Sequence, residues 1–235
     1  MGQRRPNYNS VVATFCDHIA KGKPITVDDP DKTLSLIYID DICKTFIDII
    51  TNKIKPTYPY NYVSPIYKIT LGELANTIRQ FKQDLSSISV PTTGDDFTKK
   101  LFSTYISYNS LNQLIFNPHT NKDERGIFTE LIHTSDSGQI SFSTSNPGVT
   151  RGNHYHHTKI EKFIVLQGNA TIKMRKIGTT KIHEFKVDGD RPTIVTIPVG
   201  YTHNITNTSS DKLILLIWCN ELYDQNNPDT FYEEV

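Results

Sequence analysis

Apolar residues in the first hundred positions recur at the three- and four-residue spacing of amphipathic helices. Two such faces are formed by Val11, Val12, Phe15 and Ile19 and by Ile42, Phe46, Ile47 and Ile50. The second segment follows Asp40 and Asp41, either of which is expected to cap the helix. The pattern therefore predicts two helices, each with an apolar face that another element must cover.

A third helix is indicated by a capping box and the apolar residues behind it. Thr70 and Glu73 stand three residues apart, and Leu74, Ile78 and Phe81 follow at helical spacing. Residues 34–39 are typical of a short strand, and residues 56–65, rich in Pro and Tyr, of an irregular connection. We interpret residues 1–85 as a small α/β segment and the polar residues 86–110 as a linker.

From residue 111 onward the pattern changes to short apolar or alternating runs separated by Gly, Asn, Pro and Asp. The runs lie at residues 139–143, 162–166, 170–174, 193–197 and 213–218. Short strands at this spacing are typical of an antiparallel sandwich or barrel, and a jelly roll suits them best. The chain is therefore predicted to be mainly β, with a jelly-roll domain over residues 111–235.

Charge and cysteine content narrow the functional classes. Lys and Arg together number 25 and so do Asp and Glu, so the formal net charge is zero. No excess charge attracts nucleic acid or an anionic membrane, and neither is expected as a partner. Three widely separated cysteines suggest no disulfide framework, and no apolar stretch approaches a membrane span. These features predict a cytoplasmic protein.

Two histidine-containing segments predict a metal site in the jelly roll. The first, HxHx4E, places His154 and His156 on one face of a strand, with Glu161 shortly after. The second, PxGxxH, supplies His203. Three imidazoles and one carboxylate suit Zn, Mn, Fe, Co or Ni with coordination positions left open. The alternative is that these side chains only fill a polar barrel interior. His157 is out of phase with the first two and is expected at the surface.

The two segments resemble the paired motifs of the cupin superfamily. Just before the barrel, DxRGxFxE resembles the dTDP-4-dehydrorhamnose 3,5-epimerases, as does RGxH at residues 151–154. The resemblance implies a nucleotide-sugar pocket lined by Arg125, Phe128 and Glu130, to which we add Arg151. It also implies that His154 is the catalytic base. One imidazole nitrogen cannot be base and metal ligand at once, so both roles of His154 stay open.

Nearly the whole chain resembles capsular-polysaccharide bifunctional reductase/epimerases of the CapF type, in stretches such as residues 5–15, 67–73, 152–157 and 197–205. In that family an extended short-chain dehydrogenase domain precedes a cupin. The resemblance implies zinc at His154, His156, Glu161 and His203, a homodimer formed through the cupin, and epimerisation of a UDP-4-keto-6-deoxy-N-acetylhexosamine. Residues 1–85 resemble only the substrate-side end of the dehydrogenase. Without a glycine-rich turn or YxxxK, NADPH is not expected to bind this chain alone.

The prediction is therefore a nucleotide-sugar 3- or 3,5-epimerase of capsule or surface glycan biosynthesis. One alternative is a non-catalytic, metal-containing cupin that binds sugar, assembles with itself or partners a separate reductase chain. A metal-dependent dioxygenase or isomerase acting on another small molecule is a further alternative, against which the DxRGxFxE segment argues.

Overall fold

The computed structural model describes residues 1–2 and 5–235, which form two compact units. Unit 1 comprises Met1–Ser87 and Pro91–Phe116, and unit 2 comprises Ile88–Val90 and Asn117–Val235. Unit 1 contains all four α-helices of the described residues, and unit 2 contains two antiparallel sheets. The mainly β fold predicted from the sequence is confirmed.

Unit 1 is built from helices around a small core, with one two-stranded sheet. Its helices are α1 (Val11–Ala20), α2 (Ile39–Ile50), α3 (Leu71–Leu85) and α4 (Asp96–Ile106), followed by a 3-10 turn at Leu111–Leu114. Strands β1 (Thr33–Leu36) and β2 (Tyr67–Thr70) pair antiparallel. The three predicted helices are confirmed, while the predicted strand is shorter because α2 already begins at Ile39.

The start of α3 is as predicted and the start of α2 is not. Thr70 Oγ1 accepts a hydrogen bond from the Glu73 amide, and Glu73 Oε2 accepts one from the Thr70 amide. This reciprocal pair completes the capping box. In α2 the N-cap is Tyr38, which makes no side-chain cap, and Asp40 and Asp41 lie in the first turn. The predicted aspartate cap is wrong, although acidic side chains in the first turn still interact favourably with the positive end of the helix dipole.

Helices α1, α3 and α4 share the core of unit 1. Leu101 and Tyr105 of α4 are fully buried together with Leu74 and Ile78 of α3. The prediction of a linker is therefore wrong for residues 96–106. The apolar face of α2 behaves differently, since no residue of that helix is buried among the described residues, and its Phe46, Ile47 and Ile50 are largely exposed.

Replacing Leu101 with alanine is expected to destabilise unit 1 by roughly 2–5 kcal/mol, because it leaves a cavity in a closed core. Far-UV circular dichroism during urea unfolding would measure this, since the described α-helices all lie in unit 1. Lys99→Ala, on the exposed side of α4, is the matched control and should shift the free energy of unfolding by no more than about 0.5 kcal/mol. Equal, small effects of both substitutions would contradict a core role for α4.

Unit 2 is a sandwich of two antiparallel sheets, the cupin-type jelly roll expected from the sequence. The six-stranded sheet runs in the order β10 (Ile194–Ile197), β7 (Glu161–Gln167), β12 (Leu213–Cys219), β5 (Gln139–Ser145), β4 (Gly126–His133), β3 (Thr120–Asp123). The five-stranded sheet runs β13 (Phe231–Tyr232), β6 (Thr150–Tyr155), β11 (Tyr201–Asn207), β8 (Asn169–Lys176), β9 (Ile182–Asp188). All five strands predicted from apolar runs are confirmed.

Alternation along the strands builds the core of unit 2. In β7 and β8 every second residue is buried, and Phe163, Val165 and Ile172 meet Leu213 and Leu215 in one cluster. Because side chains alternate across a strand, the same arrangement that buries these residues also directs polar side chains inward near the ends of β6, β7 and β11. That end of the sandwich holds the candidate site.

Candidate metal centre

The paired strands β6 and β11 bring together the two histidine-containing segments. His154 is the register partner of His203, and the centroids of their rings lie 4.6 Å apart. His156 directly follows β6, and Glu161 opens β7. One ligand atom from each of these four residues lies within 4.8 Å of every other. The cluster predicted from the sequence thus forms, although the motif segments come from three strands in two sheets.

A glycine and a bulge set this register. Gly152 has a φ of +104°, and a Cβ atom there would lie 2.6 Å from the His203 carbonyl oxygen. The register of β6 and β11 shifts between His203 and Asn204, next to Asn153, whose φ is also positive. Such bulges redirect the side chains that follow. The glycine of the RGxH segment is therefore required by the close approach of β11, which places His154 opposite His203.

The outer nitrogens of two imidazoles are held by main-chain carbonyls. His156 Nδ1 hydrogen-bonds to the carbonyl oxygen of Asp229, and His203 Nδ1 lies 3.3 Å from that of Tyr201. A carbonyl oxygen only accepts, so both Nδ1 atoms carry the hydrogen and both Nε2 atoms present a lone pair. Fixing the tautomer in this way is typical of metal-binding histidines.

The inner atoms of the site meet without hydrogen-bonding. His203 Nε2 lies 2.9 Å and His156 Nε2 3.4 Å from Glu161 Oε2. All three atoms are buried, and none has a hydrogen bond of acceptable geometry. Lone pairs facing a carboxylate oxygen at these distances repel one another unless a cation lies between them. The donor set therefore fits a divalent metal ion, and the cluster can hold one.

Burial and the neighbouring groups keep His154 neutral and Glu161 ionised, the states in which both can bind a cation. Burial lowers the pKa of His154 to about 4, and the neighbouring His203 acts in the same direction, so the His154 imidazole is neutral at pH 7. For Glu161, burial raises the pKa, but the imidazoles of His156 and His203 beside Oε2 outweigh this effect and hold the pKa below its usual range. The Glu161 carboxylate therefore stays ionised at pH 7.

The cluster opens into a cavity of about 360 Å³ inside unit 2. His154, His156 and Glu161 form part of its wall. The other lining residues are Asn121, Phe128, Glu130, Gln139, Ser141, Lys159, Cys219, Tyr223 and Thr230. A ligand entering the cavity would therefore meet the metal ligands together with hydroxyl, amide, carboxylate and ammonium groups. This mixture suits a polar, oxygen-rich molecule.

Comparison with known proteins identifies the family. The capsular polysaccharide assembling protein CapF of Staphylococcus aureus matches the whole chain in its crystal structure, with 42% identity and a TM-score of 0.93, and the match covers 69% of that protein. The chain belongs to the CapF family. The family model for the polysaccharide biosynthesis C-terminal domain also matches residues 121–231, which lie within unit 2.

Two curated proteins give further similarity. A UDP-2-acetamido-2,6-beta-L-arabino-hexul-4-ose reductase of Pseudomonas aeruginosa is 40% identical over 97% of this chain, which spans 61% of that enzyme's length. The spore coat polysaccharide biosynthesis protein SpsL of Bacillus subtilis is 27% identical over 46% of the chain and 78% of its own length. The first name refers to a UDP-linked sugar and the second to polysaccharide biosynthesis.

The substrate-binding residues expected from the epimerase resemblance fall in two neighbouring cavities. Phe128 and Glu130 line the metal cavity, while Arg125 and Arg151 line a second cavity of about 390 Å³. The two cavities share Phe128 and Asn121. In this CapF-family chain the four residues thus lie along one continuous surface.

The two arginines differ in their surroundings. Arg125 is half exposed, and its guanidinium binds the Asp123 carboxylate through Nε at 2.9 Å and Nη2 at 2.5 Å. Arg151 is largely covered and donates to Ser145 Oγ and the Thr144 carbonyl. Burial lowers the pKa of Arg151, against the effect of Asp123. Arg151 is therefore the more rigidly held cation of the pair.

Three residues near the centre were not predicted as site residues. Lys159, which lies close to Glu161 in sequence, is 7% exposed and lines the metal cavity. The Cys219 thiol lies 3.5 Å from Glu161 Oε1, and burial raises its pKa, so it is protonated and can donate to that oxygen. Asp229 lies against the segment between His156 and Glu161. Only the fold brings Cys219 and Asp229 here, because both are distant in sequence.

The remaining expectations concern His157 and the membrane. The His157 side chain is exposed and its ring packs on Phe231 at 4.7 Å between centroids, as expected for a residue out of phase with the ligands. Among the described residues, no helix combines the length and apolar character needed to cross a bilayer.

Proposed function

We propose that unit 2 is a nucleotide-sugar epimerase that acts at the carbon next to the ketone of a UDP-4-keto-6-deoxy-N-acetylhexosamine. The observation that carries the proposal is the cluster of three histidines and one glutamate that could hold a metal ion. The cavity beside it also presents candidate acid, base and substrate-binding groups. The Pseudomonas relative, named for a UDP-linked hexul-4-ose, supports the substrate class, and the CapF relative supports a place in capsule assembly.

Zinc is the proposed metal, held by His154, His156, Glu161 and His203. This set of three imidazoles and one carboxylate has the borderline-soft donors that zinc accepts. A divalent ion held there would supply Lewis acidity, which would polarise the ketone and make the neighbouring C–H bond more acidic. The protein must then supply a base on one face of the sugar, an acid on the other and a cation near the developing oxyanion.

Lys159 is the proposed cation. It is buried, lines the cavity and, within residues 1–2 and 5–235, takes part in no salt bridge with a carboxylate. Its ammonium nitrogen lies 5.8 Å from the centroid of the Tyr223 ring, a cation–π contact. A buried ammonium without a carboxylate is costly, and an anionic ligand would offset that cost. The negative charge that forms on the ketone oxygen is such a partner.

His154 is assigned to the metal rather than to proton transfer. Its ring lies 4.6 Å from that of His203 and 4.9 Å from that of His156, so it completes the cluster. Glu130 is the proposed base. Its carboxylate lines the same cavity, and His133 Nε2 lies 3.1 Å from its Oε2, an interaction that orients the group. The carboxylate would take the α-proton and leave the enolate charge to Lys159 and the metal. The Tyr223 hydroxyl, which lines the same cavity, would return a proton to the opposite face of the carbon.

The nucleotide diphosphate is proposed to bind beside Arg125 and Arg151. The two guanidinium groups line the cavity that adjoins the metal cavity at Phe128. Guanidinium groups bind phosphate oxygens with paired hydrogen bonds. On this assignment, the sugar ring extends from the diphosphate past Phe128 toward the metal, and the uridine lies on the opposite side.

Deuterium exchange tests this assignment directly. We expect zinc-loaded protein in deuterated water to introduce deuterium at C3 or C5 of a UDP-4-keto-6-deoxy-N-acetylhexosamine, as measured by NMR. Glu130→Gln should abolish exchange and still bind zinc, because the amide keeps the shape and loses the base. His154→Ala should lose both exchange and tight zinc binding.

The controls separate the roles. Protein treated with a chelator should show no exchange, and added zinc should restore it in the wild type. Normal exchange by Glu130→Gln would exclude Glu130 as the base. Tight substrate binding without exchange by the zinc-loaded wild type would overturn the epimerase and indicate a sugar-binding module.

A further inference from the structure

Residues 229–234 form a segment, here called the strap, that runs along the metal-centre end of unit 2. Within it, β13 pairs with β6, so that Phe231 lies opposite Tyr155 and Tyr232 opposite His154. The rings of Phe231 and Tyr155 stack with centroids 5.4 Å apart. The strap thus adds an edge strand to the sheet that carries the first metal ligand.

Further contacts hold the strap beyond β13. The Glu233 amide donates to the Asn153 carbonyl, and Thr202 Oγ1 donates to the Glu233 carbonyl. Arg175 Nη2 lies 2.8 Å from Glu233 Oε1 and also donates to the carbonyl of Glu234. Because its contacts reach β6, β8 and β11, the strap has a defined position at Asp229, where it meets the ligand-bearing segment.

Asp229 binds the loop that joins two metal ligands. Its carboxylate accepts hydrogen bonds from the amides of His157 (2.9 Å), Thr158 (2.7 Å) and Lys159 (2.8 Å). The Thr158 hydroxyl donates to the same carboxylate at 3.1 Å. Three successive amides converging on one carboxylate form a cradle for an anion, here filled by a side chain of the protein itself. The loop between His156 and Glu161 is fixed in this way.

The main chain of Asp229 acts on the ligand itself. Its carbonyl oxygen accepts the hydrogen bond from His156 Nδ1, which leaves Nε2 facing Glu161 Oε2. One residue therefore fixes both the tautomer of His156 and the path of the chain to Glu161. Burial raises the pKa of Asp229, but the hydrogen bonds from the three amides outweigh this effect and hold the pKa below its usual range.

We propose that Asp229 is a positioning residue that preorganises the His156–Glu161 half of the metal centre. The inference rests on the metal ligation set out under Proposed function. The Asp229 carboxylate is not itself a ligand, since its oxygens are occupied by the loop amides. Without it the three amides lose their acceptor, the loop loosens and metal binding must order it again. Loss of such outer partners typically weakens metal binding about 10- to 100-fold.

Zinc titration and hydrogen exchange test the proposal without any sugar. In Asp229→Asn, one acceptor oxygen becomes an NH₂ group that faces the amide donors. We expect a zinc dissociation constant about 10- to 100-fold higher than that of the wild type, measured by competition with a chromophoric chelator. In metal-free protein, the amides of residues 157–159 should exchange faster with solvent, while amides of β5 and β12 stay protected.

Asp224→Asn is the matched control, because Asp224 precedes the strap and caps only a local turn through the Asn226 amide. It should leave zinc affinity and exchange of residues 157–159 unchanged. Should Asp229→Asn fail to fold, Asp229→Ser, which keeps one short acceptor, takes its place in the same comparison. Wild-type zinc affinity in a folded Asp229 variant would overturn the proposal. Absence of zinc binding by the wild type would instead overturn the metal centre.

Discussion

Replacing His203 with alanine is expected to lower the zinc affinity of the protein by more than about 100-fold, beyond the range for loss of an outer partner. His203 is fully buried, and its Nε2 lies 2.9 Å from Glu161 Oε2 at the centre of the cluster. The substitution removes one of four donor atoms and leaves an opening that solvent or a weaker ligand must fill. Isothermal titration of the metal-free protein with zinc would measure the loss.

His157→Ala is the matched control for this experiment. His157 neighbours the ligand His156 in sequence, but its side chain is exposed and packs on Phe231. Zinc affinity should stay within about threefold of the wild type, because a surface substitution changes stability by no more than about 0.5 kcal/mol. If His203→Ala bound zinc as tightly as His157→Ala does, the four-residue metal centre would be wrong.

Replacing Lys159 with methionine is expected to lower kcat for deuterium exchange by a factor on the order of 10² to 10³, the usual effect of removing one group that stabilises an oxyanion. Methionine preserves the length and apolar stem of the side chain and removes only the charge. Zinc affinity should be retained, since the Asp229 carboxylate contacts only the main-chain amide of Lys159. Parallel zinc titration and NMR exchange on the variant would separate the two effects.

Lys162→Met provides the comparison. Lys162 lies on β7 beside Glu161, and its Nζ is 3.4 Å from Thr196 Oγ1, outside the residues that line the cavity. Its kcat should match that of the wild type. If Lys159→Met raised KM and left kcat unchanged, Lys159 would contribute to ground-state binding of the substrate and not to stabilisation of the oxyanion.

The strands and the ligand set could be predicted because each depends on short-range pattern. Alternation along β7 and β12 reflects one buried and one less buried face, which is a local property of an extended chain. The pair His154 and His156 follows the same rule, since two residues on a strand share a face. The PxGxxH segment predicts His203 as a ligand. That this segment lies beside HxHx4E in space follows only from knowing how such barrels pair their strands.

Helix α4 shows where local pattern was insufficient. Its segment is rich in Ser, Thr and Asp, a composition that predicts a linker, yet Leu101 and Tyr105, four residues apart, pack into the core with α1 and α3. Helical stability in proteins comes mainly from such tertiary packing rather than from composition. The opposite holds for α2, whose clear apolar face lies exposed among the described residues.

By itself, the sequence determined the β architecture of unit 2, the helices α1 to α3 and the identity of the four candidate ligands, because periodicity and motif spacing are properties of neighbouring residues. Only the tertiary structure decided which groups surround those ligands. Lys159, Cys219 and Asp229 reach the centre through burial, strand pairing and the strap. Contacts between residues up to about 70 positions apart are set by the packing of sheets, which no local pattern records.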